Sequence, residues 1–194
     1  MAEQAANRIN RVGLFKSILG WIMELQGGKF EMGVTLLLSL ILMAALFLML
    51  FSAVALIQSK KLFGTAPKDI QAAITEHGER FPGARLLGWM LLILAVLAFA
   101  GALLYGALDG IQRGYDFWRF FARFLTMLYL EKAFDILFFD WFLLTKSHIY
   151  QHYFPETEGC AGYHQFGFNH RQQFGKLVLF PFVALLLAWI CTLL

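Results

Sequence analysis

Four apolar stretches, 34–57, 86–108, 121–145 and 177–194, decide what this chain can become. Each is close to or above the ~20 residues that an α-helix needs to cross a hydrocarbon core of about 30 Å. In that solvent every backbone N–H and C=O must be satisfied from within, so such stretches are read as helices. Composition agrees: 59% of the 194 residues are hydrophobic and only 15% are charged, against roughly 25% charged in a soluble domain. The expectation is an all-α, polytopic transmembrane four-helix bundle in a bacterial cell membrane. The net charge of +3 is small and spread out, so lipid headgroups account for the basic residues and nucleic acid is not expected as a partner.

Ahead of the first span, Val12, Phe15, Ile18, Leu19, Ile22 and Leu25 recur at helical spacing, with Arg11, Lys16 and Glu24 elsewhere on the wheel. This predicts an interfacial amphipathic helix over 10–26, broken by Gly27 and Gly28. The chain therefore divides into an N-terminal amphipathic part, 1–32, and a four-helix domain, 33–194, with a polar loop at 146–173. Between the first two spans, Pro67 with Ile70, Ala73 and Ile74 predicts a short surface helix, and His77 is expected in solvent. In the second span Ala98, Ala102, Gly106 and Gly110 recur every four residues, a stripe that lets two membrane helices approach closely. Pro181 is expected in the first turns of the fourth helix, where it costs little.

Orientation is not decided by charge. Seven Lys and Arg fall on the side of the N-terminus and the 109–123 connection, and eight on the other, so the positive-inside comparison is balanced. Cys160 and Cys191 lie about a membrane thickness apart and are not expected to pair.

The chemistry gathers in the third span and the loop after it. Charge at membrane depth costs at least ~2.5 to 3.5 kcal/mol per residue, and such residues are commonly functional, so Glu131, Lys132, Asp135 and Asp140 call for an explanation. On an α-helical wheel Glu131 and Asp135 lie about 40° apart, whereas Asp140 is about 140° from Asp135 and shares a stripe with Ala122, Tyr129, Ala133 and Ser147. The two aspartates are thus expected to meet different neighbours. The bland reading has Lys132 and Arg123 neutralising Glu131 and Asp135, with Asp140 accepting a hydrogen bond from a tyrosine or the backbone.

Beyond the span, His148 and His152 are four residues apart, the spacing that aligns two imidazoles on one helical face. Glu156 and Glu158 follow in a proline-led turn, then His164 and His170. His148, His152, His164, His170 and Glu158 are accordingly candidate ligands for a divalent metal, Zn or Fe. The same histidines would also suit an interfacial aromatic belt with Tyr150, Tyr153, Phe154, Tyr163, Phe166 and Phe168.

Asp135, Asp140 with Trp141, Pro155, Thr157, Glu158, His170 and Gly175 resemble a pattern of small four-span bacterial membrane proteins of unassigned function, in which a D-x4-DW helix precedes a PGTE turn and a histidine. The resemblance covers about a quarter of the chain and departs at Glu156, where the pattern has glycine. It implies that Asp135, Asp140, Glu158 and His170 carry more weight than His148 and His152. Separately, a carboxylate near the end of the third span, a proline-led turn that can fold its glutamate back and a histidine shortly before the fourth span predict that Asp140, Glu158 and His170 converge on one site, with His148, His152, His164 or Asp135 as further members.

Three functions fit this reading. The first is a membrane-embedded enzyme, metal-dependent if the loop binds Zn or Fe, acting on a lipid-soluble small molecule with Asp135, Asp140, Glu158 and His170 as catalytic residues. The second is an oligomeric proton, ion or solute transporter lined by Glu131 and Asp135. The third is a structural or anchor subunit bound to a membrane partner.

Overall fold

A computed structural model describes residues 29–194, and the amphipathic helix expected over 10–26 lies outside the described residues. Helix α1, Lys29–Phe51, runs on as a π-helical segment, Ser52–Ile57. A short helix α2, Lys68–Ala73, precedes α3, Ala84–Gln112. Helix α4, Phe117–Phe134, continues as a second π segment, Asp135–Leu143. A five-residue helix α5, Ile149–Tyr153, leads through short turns into α6, His170–Leu193. No strand occurs among the described residues.

Three of these helical stretches, Met32–Ile57, Ala84–Gln112 and His170–Leu193, are long and apolar enough to cross a membrane. The continuous helix Phe117–Leu143 is not among them, because Arg119, Arg123, Glu131, Lys132, Asp135 and Asp140 interrupt its apolar character. It nevertheless occupies the middle of the assembly, packed against both α1 and α6. Its buried face, Phe120, Arg123, Phe124, Met127, Leu128, Glu131 and Lys132, follows a three-and-four spacing.

The bundle core joins Leu38 and Leu42 of α1, Ala102 of α3, Phe120, Phe124 and Met127 of α4, and Ala184 and Ala188 of α6. Small residues set the spacing, as the stripe predicts: Ala102, Gly106 and Gly110 are buried, and a Cβ added at Gly106 would meet Leu38 at 3.3 Å. Leu37, Leu40, Leu86, Met90, Leu97, Leu186 and Trp189 remain exposed, an apolar exterior suited to lipid.

The non-regular segments after α1 and after α4 fold together as a cap, with its own core of Phe63, Ile70, Ile74, Phe154 and Tyr163 against Val54 and Leu144. Three polar clasps join its halves. Asp69 accepts from Gly162 N at 2.7 Å. Glu156 Oε1 accepts from Thr75 N and Oγ1, each at 3.0 Å, and lies 3.0 Å from His77 Nε2. Gln58 Nε2 donates to the Tyr153 carbonyl at 3.5 Å. His77 is therefore a half-buried clasp residue rather than a solvated one, because the second half of the cap brings Glu156 to it.

Pro181 also departs from expectation. Helix α6 starts at His170, so the proline lies in mid-helix and removes the hydrogen bond that the Leu177 carbonyl would accept. The Tyr129 hydroxyl donates to that carbonyl at 3.2 Å, which restores the lost partner and fastens α4 to α6.

Candidate functional site

The π segment in the fourth helix changes which residues share a face. Hydrogen bonds there run from i to i+5, so residues five apart stand nearly above one another. Asp135 and Asp140 are five apart and both line one cavity of about 120 Å³ beneath the cap. The α-helical wheel had set them on different faces, and the separation disappears because Asp135–Leu143 is not α-helical. The first π segment reaches the same cavity from the opposite wall through Ala53 and Val54. Such segments are frequent at functional sites.

Asp140 is fixed by the start of α6. Its Oδ2 accepts from Asn169 Nδ2 at 3.1 Å and from Gln173 Nε2 at 2.5 Å. These are neutral donors, neither the tyrosine nor the backbone group expected. Asp135 pairs with Lys132, whose side chain is only 2% exposed. Arg123 does not serve this cluster. It lies one membrane leaflet's helical length away and donates to Asp109 Oδ2 and the Gly106 carbonyl, each at 2.8 Å, and to the Tyr115 hydroxyl at 2.7 Å.

Tyr150 forms part of the cavity wall, and its hydroxyl makes no hydrogen bond among the described residues. Burial, reinforced by the carboxylate of Asp140, pushes its phenol well above the ordinary tyrosine range. It is therefore a neutral hydroxyl, able to donate. Tyr163, in the same wall, shares a 2.6 Å hydrogen bond with Thr157.

A larger cleft of about 770 Å³ lies lower, between α1, α3, α4 and α6. Its walls are mainly apolar, including Phe99, Leu103, Phe180 and Val183, and its polar lining is Glu131, Lys132, Asp135 and Lys176 with Thr65. The cleft and the capped cavity share Leu50, Ala53, Leu62, Thr65, Asp135 and Phe139. Asp135 thus stands where the two spaces adjoin.

The loop histidines do not join this site. His148, His152, His164 and His170 are exposed, as is Glu158. His148 and His152 border a separate apolar groove against Phe47 and Phe51, and the His170 ring lies 3.0 Å from the Gly167 carbonyl. The helix is interrupted at 146–148, so the four-residue spacing of His148 and His152 does not continue the α4 face. No group of three or more His, Cys, Asp or Glu among the described residues could hold a metal ion. The expected meeting of Asp140 with Glu158 and His170 is replaced by that of Asp140 with Asn169 and Gln173, because α6 turns the 169 and 173 positions inward and 170 outward.

Sequence reasoning missed Tyr150, Asn169 and Gln173. Two amide side chains just before an apolar span are a weak but readable signal of a buried acceptor nearby. No protein-family model matches this chain, and neither does any curated protein or solved structure.

Proposed function

We propose that this is a four-pass integral membrane protein, with Phe117–Leu143 as its third pass, that takes a lipid-soluble amphiphile into the cleft between its helices and acts on the polar end at Asp135 and Asp140. The observation that carries this reading is the shared lining: an apolar space of about 770 Å³ leads to two carboxylates under a cap. The volume is within the usual 300–1,000 Å³ of small-molecule sites, which combine apolar walls with a few convergent polar groups. The charged helix can be a membrane pass because Glu131, Lys132 and Asp135 face protein and cleft rather than lipid.

In this site Asp140 is the proton acceptor, held in one orientation by Asn169 and Gln173, and the Tyr150 hydroxyl is a neutral hydrogen-bond donor to the bound polar end. A positioned base beside a neutral hydrogen-bond donor, under a partial cover, suits general base chemistry. A second reading, a proton path, is favoured by one feature: Glu131, Asp135 and Asp140 succeed one another along a single helix.

The test is native mass spectrometry of the full chain released from a neutral detergent in the presence of a single-tailed amphiphile. One retained equivalent is expected, and Val183→Trp, which plugs the cleft, should abolish retention. Equal retention by the plugged protein would refute the cleft as the binding space. Voltage-driven proton uptake by reconstituted vesicles, lost in Asp135→Asn, would instead favour the path.

A further inference from the structure

We propose that the capped cavity is a recognition site for an alkylated ammonium group, which would be the polar end of the amphiphile. The inference rests on the preceding reading only for the attached tail. It stands on charge, wall chemistry and size.

The lining includes two carboxylates, Asp135 and Asp140, and no Lys, Arg or His. Asp135 already has Lys132. Asp140 has no ion-pair partner among the described residues, only the two amide donors on Oδ2. A carboxylate facing a partly covered, mainly apolar space without a counter-ion favours a cation there. Counting Asp135, its partner Lys132 and Asp140 leaves one negative charge at the cavity, and a monovalent cation cancels it.

The walls decide which cation. Six aromatic rings line the cavity, from Phe63, Phe139, Tyr150, Phe154, Tyr163 and Phe168. Calcium or magnesium requires about six oxygen ligands, and a primary ammonium has three N–H donors to satisfy. Beside Asp140 the lining has the Asp135 carboxylate, already paired with Lys132, the Tyr163 hydroxyl, already bonded to Thr157, and the hydroxyls of Thr65 and Tyr150, so aromatic rings outnumber the oxygens still open to a ligand. An ammonium whose hydrogens are replaced by methyl groups needs no such set, and the faces and edges of aromatic rings suit it, as in the aromatic cages that bind choline and methyl-lysine. The space of about 120 Å³ fits a head group of that size and excludes a bulky sugar or nucleotide.

Isothermal titration of the full chain in dodecyl maltoside, with tetramethylammonium and then choline, tests this directly. Saturable one-to-one binding is expected. The neutral carbon isostere of choline, 3,3-dimethylbutan-1-ol, should bind at least tenfold more weakly, and sodium and potassium should not compete. Asp140→Asn should lower ammonium affinity at least tenfold. Phe168→Leu, a half-buried wall position that keeps apolar volume but loses the ring, should lower it severalfold while the melting temperature stays close to that of the parent. Equal affinity for the neutral isostere, displacement by potassium, or no ammonium binding up to 100 mM by a folded protein would each overturn the proposal. Failure here with the amphiphile still retained in the cleft would discard the head-group class alone. Ammonium binding without retention would discard the cleft alone.

Discussion

The buried Lys132 is the best place to measure how the charges of the site depend on one another. It is 2% exposed, pairs with Asp135, and is followed along the helix by Asp140. In Lys132→Met the local charge falls from one negative to two, and the remaining cation, Lys176, is exposed. Removing one partner of a buried pair leaves an uncompensated charge and typically costs about 3–5 kcal/mol. Asp135→Asn strands the ammonium instead, but the asparagine oxygen can still accept from it, so about 1–3 kcal/mol is expected. Replacing both removes the pair without leaving either charge behind. The double variant should therefore lose no more than about 1–2 kcal/mol, since neutral replacements of buried pairs are often nearly neutral. The coupling should amount to at least about 2 kcal/mol. Reversible unfolding of the four proteins in mixed dodecyl maltoside and dodecyl sulfate micelles measures it. Losses that add within about 0.5 kcal/mol would mean that the two side chains act independently, and the charge argument for the cavity would fall with them.

Two further outcomes follow from the packing and from the cap. A Cβ at Gly110 would fall on the buried ring of Phe120, whereas one at Gly101 meets nothing within 4 Å; Gly110→Ala should destabilise by about 1–3 kcal/mol through overpacking and Gly101→Ala should not, in the same unfolding assay. In the cap, burial works to raise the Glu156 carboxyl, yet hydrogen bonds from Thr75 and the neighbouring His77 hold it below the ordinary glutamate range. Its folded value is depressed, so its contribution is fully present above an unfolded value of about 4.3 and is lost as pH falls through the lower folded value. Hydrogen exchange at Thr75, corrected for intrinsic rates, should show protection falling in that acid window for the parent and reduced at neutral pH in Glu156→Gln. Unchanged protection in both would exclude the clasp.

The membrane character, the small-residue stripe and the short helix after Pro67 were legible because each follows from local chemistry: length of apolar sequence, absence of side chains, a fixed φ. Position along α4 and its π continuation was less legible, since the wheel assumed 100° per residue and Asp135–Leu143 winds differently. Nothing in FFDWF announces a π segment. The cap was illegible for another reason. Its clasps pair residues about 80 to 95 positions apart, such as Thr75 with Glu156 and Asp69 with Gly162, and no spacing rule reaches that far. The histidines misled because four of the five lie in one loop, and closeness in sequence says little about closeness in a segment of short turns. Asp109 with Arg113 and Arg123 was overlooked although the i, i+4 half of it was plain in the sequence.

The two ways in which this bundle departs from α-helical geometry differ in what they demand of their surroundings. Pro181 leaves a carbonyl without its donor, and in hydrocarbon such an orphan costs several kcal/mol, so a neighbouring helix must supply Tyr129. A π segment leaves no orphan within itself, because each carbonyl still meets an N–H one residue further along. It can therefore turn a side chain to a new face in mid-membrane without help from another helix. Both π segments among the described residues flank the same capped cavity, one placing Ala53 and Val54 there and the other Asp135, Phe139 and Asp140. A purely structural bundle gains nothing from gathering two carboxylates at one point. The irregular winding is accounted for if the cavity, rather than the packing of the helices, is what this stretch of backbone is arranged to make.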